Sequence, residues 1–249
     1  MSHGTDLAAG GGRRGMTPDL TPVEIVAHRG ANREAPENTL PAFRRAIELG
    51  VHGIELDVQY TRDRVPVVHH DPTLSPSPTG DARPSISSLT LNEVRAMSDV
   101  PTLDEVLDLV DGRCRLYIEI KASAAVAAVV ERLADRKSWC AVHSFDHRAV
   151  AQAHALDPHL SCGILLVSYL VDIAGAMRNA GARDVWQSHD YIDRALVDAV
   201  HGAGGRVIAW TVNDVARAGE LAKIGVDAIC SDVPSELLTG ARRQEAEDR

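Results

Sequence analysis

From Glu24 to Ser231 the chain repeats one pattern, a short apolar run followed by a stretch with helical spacing, and this alternation restricts the fold more than any other feature. Such alternation builds parallel sheets, because each strand needs a crossover element before the next can lie beside it in the same direction. The strand candidates are residues 24–28, 53–58, 65–69, 115–120, 140–144, 161–166, 184–187, 206–212 and 227–231. These are nine, one more than a closed eight-stranded barrel holds. Only residues 59–64 join the second candidate to the third, too few for a parallel crossover of about a dozen residues. Those two must form an antiparallel hairpin, which leaves eight parallel strands. The expected fold is therefore α/β, a TIM (β/α)8 barrel with a β-hairpin and a short insertion at its C-terminal mouth.

Helical spacing is expected at 38–49, 102–110, 123–136, 146–156 and 193–203, with Thr102 and Asp146 as N-caps. Residues 72–100 are rich in Ser, Pro and Thr and hold one short helical run, 91–97, which marks them as the insertion or lid. With 249 residues, 45% of them hydrophobic and 4% aromatic, the chain has enough aliphatic side chains for one large core. One barrel is expected over 23–240, flanked by a Gly-, Thr- and Pro-rich tail at 1–22 and a charged tail at 241–249.

The net charge of −9 shows no clustered Lys and Arg stripe and argues against nucleic acid as a partner. Acidity instead leaves room for a divalent cation that in turn attracts a small anionic substrate. Cys114, Cys140, Cys162 and Cys230 lie far apart with no CxxC pair, and read as buried free thiols in a reducing, cytoplasmic compartment. The first 22 residues lack the apolar core of a signal peptide, and no transmembrane segment is expected anywhere. Oligomeric state is not legible.

In a βα barrel the reacting groups gather where strands end. His28-Arg29-Gly30 ends the first strand, Glu55-Leu56-Asp57 the second, His69-His70-Asp71 the hairpin and Glu119-Ile120-Lys121 the next. Glu55 and Asp57 are two residues apart, so they face one side while Ile54, Leu56 and Val58 face the helices. With Glu119 on the adjacent strand, three carboxylates converge. They would repel one another unless a hard divalent ion, Mg²⁺ or Ca²⁺, held them ionised. His28 and His70 flank this expected ion and suit general acid–base work on phosphorus. His69 faces the opposite side from His70. Arg29 and Lys121 supply positive charge for a phosphate. His52, His147, His154, His159 and His201 are expected at the surface or in packing roles.

The segments VAHRGANREAPENTLPAF and GIELDVQYTRDRVPVVHHDPTL, followed in order by PTLDEVL, YIEIKAS, SFD, VIAWTVND and GVDAICSDVP, resemble the glycerophosphodiester phosphodiesterases over roughly residues 23–238. The resemblance implies a TIM barrel with a metal on Glu55, Asp57 and Glu119, catalytic histidines at His28 and His70, and substrate cations at Arg29 and Lys121. It implies support of the site by Glu37 and Asn38. Trp210 matches a residue walling the substrate cavity, and an ordinary core Trp fits its sequence context equally well. The implied reaction is attack by the glycerol 2-hydroxyl on phosphorus, giving a cyclic phosphate that water opens to glycerol 3-phosphate and an alcohol. The resemblance leans toward His70 as base and His28 as acid. Two departures concern the substrate side: LSPSPTG follows Pro72-Thr73 where relatives carry an Arg-Thr-Thr type motif, and the insertion before PTLDEVL is short. A shorter lid would admit bulkier alcohols, lysophospholipids included. The rival readings are a phospholipase-D-like or cyclising phosphodiesterase at the same site, and a non-catalytic phosphate-binding barrel.

Overall fold

The computed structural model describes residues 23–74 and 83–239. Both expected tails, and the stretch 75–82 that includes all of the LSPSPTG departure except Leu74, lie outside the described residues. In chain order the elements are β1 (Glu24–His28), α1 (Leu40–Leu49), β2 (Gly53–Tyr60), β3 (Pro66–Val68), α2 (Leu91–Met97), α3 (Leu103–Val110), β4 (Arg115–Ile120), α4 (Val126–Leu133), β5 (Cys140–Ser144) and α5 (His147–Leu156). There follow β6 (Ser161–Leu166), α6 (Ile173–Ala180), β7 (Asp184–Ser188), α7 (Arg194–Gly202), β8 (Arg206–Trp210), α8 (Val215–Lys223) and β9 (Ala228–Ser231).

The strands order as β1-β9-β8-β7-β6-β5-β4-β2-β3, and β1 also pairs with β2, so the parallel strands close on themselves. β3 runs antiparallel to β2, with Val58 opposite Val68 and Tyr60 opposite Pro66. The architecture is the expected eight-stranded parallel barrel with helices between the strands and a hairpin at the end of β2.

Strand alternation separates two cores. Ile54, Leu56 and Val58 of β2 point outward and pack with Phe43, Leu103, Val106 and Leu107 in the layer between barrel and helices. The inward set, Val26, Tyr117, Ala141, Leu165, Trp186, Ile208, Ala228 and Cys230, fills the barrel itself. Tyr117 and Trp186 meet edge to face at 5.1 Å and plug the interior below the mouth. Gly53 is required there, because a Cβ on it would lie 2.8 Å from the Tyr117 ring. Cys114, Cys140, Cys162 and Cys230 are all free, and all but Cys114 are fully buried.

The helix starts explain themselves locally. Asp146, Asp172, Asp193 and Asp214 each accept a backbone N–H from the first turn of α5, α6, α7 and α8, an interaction worth about 1 kcal/mol apiece. Thr90 with Glu93 and Thr102 with Glu105 form full capping boxes on α2 and α3. The helix expected from residue 38 begins instead at Leu40, because Asn38 sits at φ 57°, in the left-handed region, and turns its side chain away for another purpose. The helix expected over 123–136 splits into one 3₁₀ turn, Ser123–Ala125, followed by α4. The strand expected to reach residue 212 ends at Trp210.

The insertion has a small core of its own, in which Leu74, Ile86, Val94 and Val100 bury against Val67 of the hairpin. Arg62 and Asp63 in the hairpin turn anchor it: Arg62 bonds Glu93 and the Ser88 carbonyl, and Asp63 accepts from Leu91 N. The described part of the insertion is thus fastened to the hairpin turn.

Candidate active site

The geometry of the site follows from strand register. His28 lies opposite Glu55 across β1 and β2, Asp57 opposite Glu119 across β2 and β4, and Glu119 opposite His143 across β4 and β5. Four neighbouring strands therefore present their inward polar residues at one level, just above the Tyr117–Trp186 plug. Glu55, Asp57, Glu119 and His143 are all buried.

The cations already stand among the acids. Lys121 Nζ lies 2.8 Å from Glu119 Oε1 and 3.2 Å from Asp57 Oδ1. Arg29 Nε is 3.1 Å from Asp57 Oδ2, while its Nη1 bonds Glu37 at 3.0 Å. Asn38 Nδ2 donates to Asp57 Oδ2 at 2.8 Å, and Asp57 N donates back to Asn38 Oδ1 at 3.3 Å, which is why Asn38 leaves the helix. Glu37 and Asn38 thus hold Arg29 and Asp57 from behind.

The backbone takes part as well. Arg29 adopts φ 56° and so turns its own N–H onto Glu55 Oε2 at 3.1 Å. Gly30 follows at φ +83°, and a Cβ there would meet the Ala42 carbonyl carbon at 2.8 Å. Only glycine allows the loop after β1 to lie so close to α1.

The carboxylates are not equivalent. Burial first, then the charges of Asp57 and Glu119, push the Glu55 carboxyl well above its ordinary range. Burial, against the pull of Lys121 and with Asp57 adding repulsion, pushes Glu119 up to about 7. Burial also acts to raise Asp57, but Lys121, Arg29 and the Asn38 amide outweigh it and hold this group below its usual range. Two of the three acids therefore lack sufficient positive charge.

Each candidate histidine is held at Nδ1 by an aspartate. Asp232 Oδ1 lies 2.6 Å from His28 Nδ1, and Asp71 Oδ1 lies 2.8 Å from His70 Nδ1. Asp232 is itself fixed by Asn32 and Asn213 and kept strongly acidic: burial opposes this, and the bonds from His28, Asn32 and Asn213 prevail. His28 then turns Nε2 toward Glu55 Oε2, 3.9 Å away. His70 is more open, and it borders a cavity of about 210 Å³ lined also by Glu37, His69, Asp71 and Arg83. His69 bonds the Asp71 carbonyl at 2.9 Å.

Trp210 stands at the end of β8, half-buried, packed on the inner core and edge to face with Phe145 at 5.6 Å. It belongs at once to the barrel interior and to the wall of its mouth.

Sequence reasoning passed over two residues. Asp232 directly follows β9 and obeys the same strand-end rule that picked out Glu55 and Glu119. His143 alternates inward with Ala141 on β5, and its register opposite Glu119 was the available signal.

Fold and site together place the chain among phosphoric diester hydrolases built on a (β/α)8 barrel. The family model for the glycerophosphoryl diester phosphodiesterase family matches residues 28–236. A glycerophosphodiester phosphodiesterase of Caldanaerobacter subterraneus is 30% identical over 242 residues, covering 88% of this chain and 98% of the relative. An Oleispira antarctica phosphodiesterase, solved in complex with the product sn-glycerol-3-phosphate, superposes with a TM-score of 0.80 at 27% identity, over 88% of this chain and 96% of that one. A glycerophosphodiester phosphodiesterase from Agrobacterium tumefaciens gives a TM-score of 0.73 at 27% identity, over 88% and 100%. The chain belongs to the glycerophosphoryl diester phosphodiesterase family.

Proposed function

We propose that the barrel, residues 23–240, hydrolyses glycerophosphodiesters to glycerol 3-phosphate and a free alcohol, with His28 and His70 as acid and base and a divalent ion on Glu55, Asp57 and Glu119. The observation that carries this is the crowding of buried carboxylates beside the Nε2 face of an aspartate-held histidine. Two of these donors fit a metal by geometry and charge: Glu55 and Glu119 bring carboxylate oxygens within 4.8 Å of each other. They are the acids that burial and mutual repulsion drive toward the neutral form and a cation would relieve. Asp57, by contrast, is already held by Lys121, Arg29 and Asn38 and would join the ion by exchanging one of these. Oxygen donors alone favour Mg²⁺ or Ca²⁺. When bound, such an ion stabilises negative charge on the phosphoryl oxygens.

The protein groups perform the proton transfers. His70 takes the proton of the glycerol 2-hydroxyl as its oxygen attacks phosphorus, and His28 protonates the departing alkoxide. Water then opens the cyclic phosphate with the two roles exchanged, each transfer contributing about 10²–10⁴-fold. Asp232 holds the His28 ring so that Nε2, not Nδ1, faces the reacting atoms. Arg29 and Lys121 keep Asp57 ionised and direct their remaining N–H groups to the phosphate. Trp210 with Phe145 walls the far side of the pocket.

A ³¹P NMR assay with glycerophosphocholine and glycerophosphoethanolamine tests the reading. Conversion to glycerol 3-phosphate that is abolished by EDTA and by His28→Ala supports it, and turnover untouched by either refutes it. A lasting cyclic phosphorus signal would identify a cyclising enzyme. One observation favours a second substrate class: Phe145, Val167, Tyr169, Val171 and Tyr191, all following β5, β6 or β7, are exposed. Apolar surface at that mouth suits the acyl chain of a lysophospholipid, which the same assay run with lysophosphatidylcholine would register.

As for location, among the described residues no helix is long and apolar enough to cross a membrane. The free thiols are in keeping with the reducing, cytoplasmic setting proposed for the chain.

A further inference from the structure

His143 is buried at 1% exposure in the floor of the site, and neither of its ring nitrogens has a hydrogen-bond partner among the described residues. Buried imidazole nitrogens are ordinarily satisfied, and leaving one without a partner costs about 1–3 kcal/mol. The ring is not free to turn and find one. It lies flat on Trp186, with centroids 4.1 Å apart and planes within 5°, and Trp186 is itself wedged against Tyr117. Packing thus fixes the plane of the imidazole and aims its edge at the carboxylates.

That edge has company. Nε2 is 3.9 Å from Glu55 Oε1, and Glu55, Glu119 and His143 each offer a donor atom within 4.8 Å of the others. Donor atoms about 2.0–2.3 Å from a common first-row ion stand apart by a distance of this order. Asp57 is engaged differently: it is bound to Lys121, Arg29 and Asn38.

We propose that His143 is a direct nitrogen ligand of the metal held by the carboxylate group, and that it turns the site's preference from Ca²⁺ toward a first-row ion such as Mn²⁺ or Zn²⁺. The inference rests on the metal reading given under the proposed function. The chemical basis is donor type: imidazole suits first-row ions, whereas Ca²⁺ takes oxygen almost exclusively. Stacking on Trp186 adds pre-orientation, since no rotamer freedom is lost when the ring binds.

The test is metal binding, not turnover. Protein stripped with EDTA is titrated calorimetrically with Mn²⁺, Zn²⁺ and Ca²⁺, and compared with His143→Gln. Loss of a direct donor should weaken Mn²⁺ and Zn²⁺ by more than the ~10–100-fold that removal of an outer partner typically brings, with Ca²⁺ changed far less. Pulsed EPR of the Mn²⁺-loaded protein should show ¹⁴N coupling that His143→Gln removes or diminishes. An anomalous difference map of Mn²⁺-soaked wild-type crystals needs no variant, and should place the ion at bonding distance from His143 Nε2. An ion on the carboxylates but out of reach of His143, or ¹⁴N coupling unchanged in His143→Gln, overturns this inference and leaves the proposed function standing. No ion at the carboxylates at all overturns both.

Discussion

Replacing Glu119 by Gln should stabilise the metal-free protein at alkaline pH while destroying its metal site. Gln has the shape of a protonated Glu, and its carbonyl oxygen can still accept from Lys121, which lies 2.8 Å from Glu119 Oε1. The Glu119 carboxyl moves from 4.5 to about 7 on folding, with burial as the leading cause. Because the folded state then binds the proton more tightly than the unfolded state, stability falls as pH rises between those two values and levels off above. At 1.36 kcal/mol for each pH unit, ionising this group in the fold costs on the order of 3 kcal/mol by pH 8. Glu119→Gln escapes that cost. For a domain of this size the gain corresponds to roughly 6–12 °C in Tm. Thermal unfolding in EDTA, followed by circular dichroism, should show the variant above wild type at pH 8 and level with it near pH 4. Adding a divalent ion should raise wild type only. A variant no more stable than wild type at pH 8, or a difference equal at both pH values, would refute the reasoning.

Three further outcomes follow from the same geometry. Metal binding at pH 7 should release protons, because Glu119, pushed up to about 7, is partly protonated there and burial raises the neighbouring Glu55 carboxyl as well; calorimetry in buffers of different ionisation enthalpy would measure the release, and buffer-independent heats would count against it. Asp232→Asn should lower kcat by at least about tenfold, with KM little changed, because it frees the His28 ring and so removes part of what acid–base catalysis contributes; steady-state kinetics on a glycerophosphodiester would decide. Gly30→Ala should cost more than about 1 kcal/mol in urea unfolding, since a Cβ at φ +83° meets the Ala42 backbone at 2.8 Å.

Much of the architecture was legible without coordinates. Strand positions follow from apolar runs, and the short link after β2 forces a hairpin whatever the rest of the chain does. The placing of Glu55 and Asp57 on the inner face follows from the two-residue period of a strand, and the outward packing of Ile54, Leu56 and Val58 agrees with it. These are properties of neighbouring residues. Where local signals competed, the reading slipped: Asn38 looks like a helix start, yet its amide is bound to Asp57, nineteen residues away, and the helix begins later.

What the linear sequence determined, then, is the set of strands, their faces, and the acids and imidazoles at their ends. Only the closed barrel decided the partners, because ring closure sets β1 beside β9 and joins His28 to Asp232 across 204 residues of chain. The same closure, through register and the Trp186 stack, sets His143 beside the carboxylates. Contacts of this kind depend on strand order and stagger, which no local run of residues encodes.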